Sequence, residues 1–88
     1  MNKDELSAKL LRAVGHPLRL RIIKILHESP SCVNDLHRTL KCSPPNLSQH
    51  LRILSEVGIL ESKKTGFPII YKTKSKGMVK SILQHVEE

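Results

Sequence analysis

Ser43–Leu54, SPPNLSQHLRIL, holds the densest set of side chains suited to chemistry. Asn46, Ser48, Gln49, His50 and Arg52 carry hydrogen-bond donors and acceptors and stand beside Leu47, Leu51 and Leu54. At about 100° per residue the three leucines share one side of a helix. Pro45, Ser48, Gln49 and Arg52 then fall opposite, with Asn46 on a flank and His50 near the core's edge. Ser, Asn, Gln and Arg are the types that hydrogen-bond base edges in a major groove, which an α-helix fills. An enzyme is not expected: the spacing offers no paired carboxylates, Cys–His constellation or Gly-rich phosphate loop. No cofactor is implied.

The flanking residues predict what holds this helix. Ser43 caps it, and Pro44 and Pro45 occupy its first turn, where no intrahelical N–H bond is lost. Upstream, Asn2 and Glu5 resemble a capping box, and Leu6, Leu10, Leu11 and Val14 form a stripe that ends at Gly15. Pro17 suits the first turn of a second helix burying Leu18, Ile22, Ile25 and Leu26, with Arg19, Arg21 and Lys24 outward, and Pro30 stops it. Ser31 is the expected N-cap of a third helix, CVNDLHRTL, leaving only KCS as a turn. Gly58 ends the fourth helix. ILESKK and IIYKT read as strands joined by TGFP, ragged where Pro68 enters. Met78, Val79, Ile82, Leu83 and Val86 mark a final helix. The expected fold is mainly α with a small β-hairpin, ααααββα: a winged helix-turn-helix in one domain spanning residues 1–88.

Charge points the same way. The chain carries +7 with a pI near 9.8, and Lys63 to Lys80 contains six lysines and no acid. A one-signed block of this kind suits a phosphate-bearing partner, here double-stranded DNA. Lys63 and Lys64, with Lys72 beyond, would meet the flanking backbone or minor groove; Thr39, Ser43 and Ser48 are further phosphate-contact candidates. The candidate DNA-binding set is Ser43, Pro44, Pro45, Asn46, Ser48, Gln49, Arg52, Lys63 and Lys64. Two other readings stay open: a winged helix used for protein contact, and a DNA binder that answers to no ligand. No apolar run approaches the roughly 20 residues of a membrane span. The start, MNKDELSAKLL, is not a secretory signal, so the cytoplasm is the expected location.

AVGHPLRLRIIKIL, CVNDL, SPPNLSQHLRILSEVGILESKKTG and IIYK together resemble the ArsR/SmtB family of bacterial and archaeal repressors, over residues 6 to about 86. The resemblance implies a homodimer through the first and last helices, bound to an imperfect inverted repeat and released by a metal, metalloid or redox signal. By that resemblance Asn46, Ser48 and Gln49 match positions that touch DNA. The sensor motifs are incomplete. Where arsenic sensors of the family carry Cys-Val-Cys-Asp-Leu, this chain has Cys32, Val33, Asn34, Asp35 and Leu36, so one thiol is replaced. Where the family's zinc site pairs Asp-x-His with His-x-x-Glu, His85 and Glu88 keep the second half, but Lys72 and Lys74 stand at the first. Cys32, in a first helical turn where the dipole lowers thiol pKa, is a candidate redox sensor, and Cys42 a second. A Cys32–Cys42 bridge is not expected: ten residues of helix span about 15 Å, against a Cα limit of roughly 7 Å.

Overall fold

The computed structural model describes residues 2–63 and 68–86. Helix α1 (Lys3–Val14) opens with the expected capping box. Glu5 N donates to Asn2 Oδ1 at 2.8 Å, and Asn2 N donates back to Glu5 Oε1 at 3.4 Å. Two of the four orphan donors at the helix start are thereby satisfied. His16 caps α2 (Pro17–Glu28), its Nδ1 accepting from Leu18 N at 3.1 Å, with Pro17 in the first turn.

The chain then departs from the expected element order. Ser31 does not cap the third helix. Ser31 and Cys32 form a short strand, β1 (Ser31–Cys32), and Cys32 is the N-cap of α3 (Val33–Leu40) with no side-chain capping bond. Pro30 disfavours helical backbone at Ser29, which is extended at φ −161°, ψ 138°, and the chain arrives as a strand rather than a helical turn. The hydrogen-bonding groups of β1 meet the otherwise open edge of β3 (Ile70–Thr73), pairing Ser31 with Tyr71 and Cys32 with Ile70. The sheet therefore has three antiparallel strands in the order β1-β3-β2, with β2 at Leu60–Lys63, and the full order is ααβααββα.

After α3, Lys41 turns the chain in the left-handed region at φ 54°, and α4 (Pro44–Glu56) begins after a three-residue connection. Ser43 stands at the N-cap of α4 but makes no side-chain capping bond. Pro44 and Pro45 lack the first two N–H groups of the helix, so of the two donors that an N-cap side chain serves only the Asn46 N–H remains. The far end of α4 closes as a Schellman turn: Ile59 N donates to Leu54 O at 3.0 Å and Gly58 N to Ser55 O at 3.1 Å. Gly58 adopts φ 83°, backbone that glycine enters without steric cost. Leu54 and Ile59, which flank this turn, are fully buried.

Strand β2 pairs with β3 from Leu60 opposite Thr73 to Lys63 opposite Ile70. Ile69 stays outside the strand, as Pro68 led one to expect. Helix α5 (Lys76–Val86) completes the fold. The core joins Ile22, Ile23 and Leu26 of α2, Leu36 and Leu40 of α3, Leu47, Leu51 and Leu54 of α4, Leu60, and Val79 and Leu83 of α5. The expected stripes on the first and last helices are only partly covered. Ala13 and Val14 are buried, but Leu6, Leu11 and Val86 are 55%, 67% and 51% exposed. None of the described helices is long and apolar enough to cross a membrane.

Candidate nucleic-acid interface

Helix α4 sits with its leucines inward and its polar side out, as its periodicity predicted. Leu47, Leu51 and Leu54 are completely buried, whereas Pro44, Pro45, Asn46, Ser48, Gln49 and Arg52 are exposed. Pro45, Ser48, Gln49 and Arg52 line one open depression on the outer surface. Four of the expected residues, three of them polar, thus form a continuous exposed strip, carried by a helix held on its other side by the core. Arg52 also lies 3.7 Å from Glu56, one turn on, an exposed pair of small energetic weight. Thr39 is engaged locally, its hydroxyl donating to Asp35 O at 3.0 Å. His37 Nδ1 contacts Cys42 O and ties the end of α3 to the turn that launches α4.

One contact beside the strip was not expected from the sequence. Arg19 does not point outward: its Nε donates to His50 Nδ1 at 3.0 Å and its Nη1 to Ala13 O at 3.4 Å. His50 sits beside the outward strip on α4, and its ring centre lies 4.7 Å from that of His16, the cap of α2. A guanidinium and two imidazoles therefore join the start of α2 to the middle of α4. No local sequence signal reports this, since Arg19 and His50 are 31 positions apart.

The junction has a pH consequence. To accept from Arg19, His50 Nδ1 must be unprotonated, which places the proton of the neutral ring on Nε2. Partial burial, then His16 and Arg19, lower the His50 pKa from its ordinary 6.5. Between that value and the lowered one, the unfolded chain binds more protons than the folded one, so stability decreases as pH falls through this window. Urea midpoints measured from about pH 8 to about pH 5 are expected to drop on the acid side. His50→Asn, which offers a non-titrating acceptor, flattens that part of the profile. An equal drop in the variant would place the acid sensitivity elsewhere.

The basic hairpin is only partly within view. Lys63 is exposed at the end of β2, whereas Lys64 and residues 65–67 of the expected turn lie outside the described residues. Lys72 lies opposite Glu61 in the strand register. A cross-strand carboxylate makes it a poorer phosphate ligand than Lys63.

The sensor positions do not assemble into a metal site. Cys32 is half-buried and extended at the N-cap, one position before the first turn expected for it, and Cys42 is half-buried; both thiols are free. His85 is exposed and Glu88 lies outside the described residues. Among the described residues no three His, Cys, Asp or Glu side chains come together. A lone thiol beside Asn34 does not supply the donor set of a soft metalloid.

Paired helices α3 and α4, an exposed polar face on the second and an antiparallel hairpin behind it define a winged helix-turn-helix. The family described as "Bacterial regulatory protein, arsR family" matches residues 16–62, and the chain belongs to that family. An uncharacterised HTH-type transcriptional regulator of Methanocaldococcus jannaschii is 38% identical, with 100% of this chain and 99% of that protein covered. The HTH-type transcriptional repressor SmtB of Mycobacterium tuberculosis is 36% identical over 75% of this chain, which spans about half (49%) of that protein's length. HlyU from Vibrio cholerae superposes with a TM-score of 0.83 at 27% identity, covering 100% of both chains.

Proposed function

We propose that this protein is a homodimeric, sequence-specific DNA-binding transcriptional regulator of the cytoplasm, repressing at an inverted-repeat operator. The observation that carries this reading is the exposed strip Pro45, Ser48, Gln49 and Arg52, held on a helix whose opposite side is fully buried. In it, α4 enters the major groove, Asn46, Ser48 and Gln49 reach base edges, and Ser43, Pro44, Pro45 and Arg52 line the approach. Lys63, with Lys64, meets the flanking phosphates. The regulators named among the relatives support the class, as does the net charge of +7.

The dimer is part of the same proposal. Leu6, Leu11 and Val86 leave apolar surface open on α1 and α5, the first and last helices of the chain. A two-fold contact over these helices would remove it from water and carry two α4 helices to sites about 34 Å apart, one duplex turn. Cys32, at the N-cap of α3, and Cys42, in the turn before α4, are free thiols and stand as the candidates for a redox response.

Selection of bound sites from random duplexes tests the reading, repeated with reductant, oxidant and zinc. Enrichment of a palindromic site supports it. Weak binding without sequence preference would favour a winged helix used for protein contact, and an enriched site indifferent to every additive would favour a regulator without a ligand. Lys63→Ala is expected to weaken binding to operator and random duplex alike and to flatten the salt dependence by about one counterion. An effect confined to the operator would remove Lys63 from the phosphate-contacting set.

A further inference from the structure

Between α1, α2 and the end of α4 lies a hollow of about 220 Å³ that the reading of the DNA-facing surface leaves unused. Its wall carries three cations, Lys9, Arg12 and Arg19, and its floor is Ala13, Ile53 and Val57. Ala13 is buried, and Ile53 and Val57 are half-buried. Lys9 and Arg12 have no carboxylate partner among the described residues. Glu56, the acid on the rim, faces Arg52 at 3.7 Å. Arg19 spends one N–H on His50 and one on the Ala13 carbonyl, leaving others of its five donors for a ligand.

We propose that this hollow binds a small organic carboxylate with a short apolar body, and that Arg19 transmits its presence to His50 on α4. Guanidinium groups grip carboxylates through two parallel N–H bonds, and Arg12 of α1 and Arg19 of α2 both line the hollow. The carbon-lined floor takes the apolar body, a contact that an inorganic anion would not use. The volume, below the roughly 300–1,000 Å³ of drug-sized sites, restricts the ligand to a small one. The charged groups lining the hollow are Lys9 and Arg12 from α1, Arg19 from α2 and Glu56 from α4; His50, outside the lining, meets Arg19 and, ring to ring, His16, the cap of α2. A bound carboxylate offsets the guanidinium charge beside His50, so the ring takes up a proton more readily, and by reciprocity acid strengthens carboxylate binding. The proposal stands independently of what α4 contacts.

Titration of the full chain with hexanoate, followed by NMR, tests this against hexan-1-ol and inorganic phosphate at matched ionic strength. Saturable shifts are expected at Ala13, Ile53 and Val57 and at the His50 ring. Hexan-1-ol and phosphate are each expected to bind at least tenfold more weakly. The double change Lys9→Ala with Arg12→Ala, at two exposed positions, is expected to lower hexanoate affinity at least tenfold; Arg12→Gln alone serves if the double variant melts. Non-saturating shifts, equal response to hexan-1-ol or phosphate, or undiminished affinity in the variant would each overturn the site. A response at the floor that leaves the His50 ring unmoved would overturn its link to α4.

Discussion

Leu51→Ala is expected to lower the unfolding free energy by about 2–5 kcal/mol, the range for truncating a large aliphatic side chain in a packed core. Leu51 is 0% exposed, and its flanking leucines, Leu47 and Leu54, are equally closed to solvent. Helix α4 packs on α1, α2, α3 and β2, so a void beneath it loosens contacts to most of the molecule. For 88 residues the total stability should be on the order of 4–13 kcal/mol, and the change takes away a large share of it. Urea unfolding of wild type and variant reads the loss as a lower midpoint at unchanged slope. Ser48→Ala, three residues away on the exposed side, is the matched control, with an expected change within about 0.5 kcal/mol. If both variants unfold alike, α4 is not seated on its leucines.

Gln49→Ala is expected to leave stability nearly unchanged and to reduce discrimination between the selected operator and random duplex by about 1–3 kcal/mol, or about 5- to 150-fold. Gln49 is exposed in the middle of the strip formed with Pro45, Ser48 and Arg52. Its amide presents both a donor and an acceptor, the combination that pairs with the exposed edge of adenine. The reading of α4 as a base-contacting helix therefore requires a specificity loss here, in contrast to the uniform loss expected from Lys63→Ala. Competition binding against operator and random duplex separates the two. If Gln49→Ala weakens every sequence equally, the helix binds without reading bases.

Both predictions were open to derivation from spacing alone, because a helix repeats every 3.6 residues and the leucines of Ser43–Leu54 keep that period. The same rule placed α2, α3 and α5, while Asn2, Pro17 and Gly58 marked ends of α1, α2 and α4 through local backbone chemistry. Ser31 and Ser43 misled for different reasons. Ser31 has the right chemistry for a cap, but the free edge of β3 took its backbone first. Ser43 holds the cap position but makes no side-chain capping bond, and of the two donors it could serve Pro45 lacks one, leaving only the Asn46 N–H.

The order of the helices, the buried side of α4 and its polar outer side are properties of the sequence, since each depends on residues within a few positions of one another. The third strand, the Arg19–His50–His16 junction and the cationic hollow beside it exist only in the tertiary structure. Each brings together residues tens of positions apart: 31 between Arg19 and His50, and 40 between Ser31 and Tyr71. Periodicity fixes which way a side chain faces on its own element. Which neighbour it meets depends on how the elements pack, and so the leucines left open on α1 could be seen as a stripe in the sequence but not as surface.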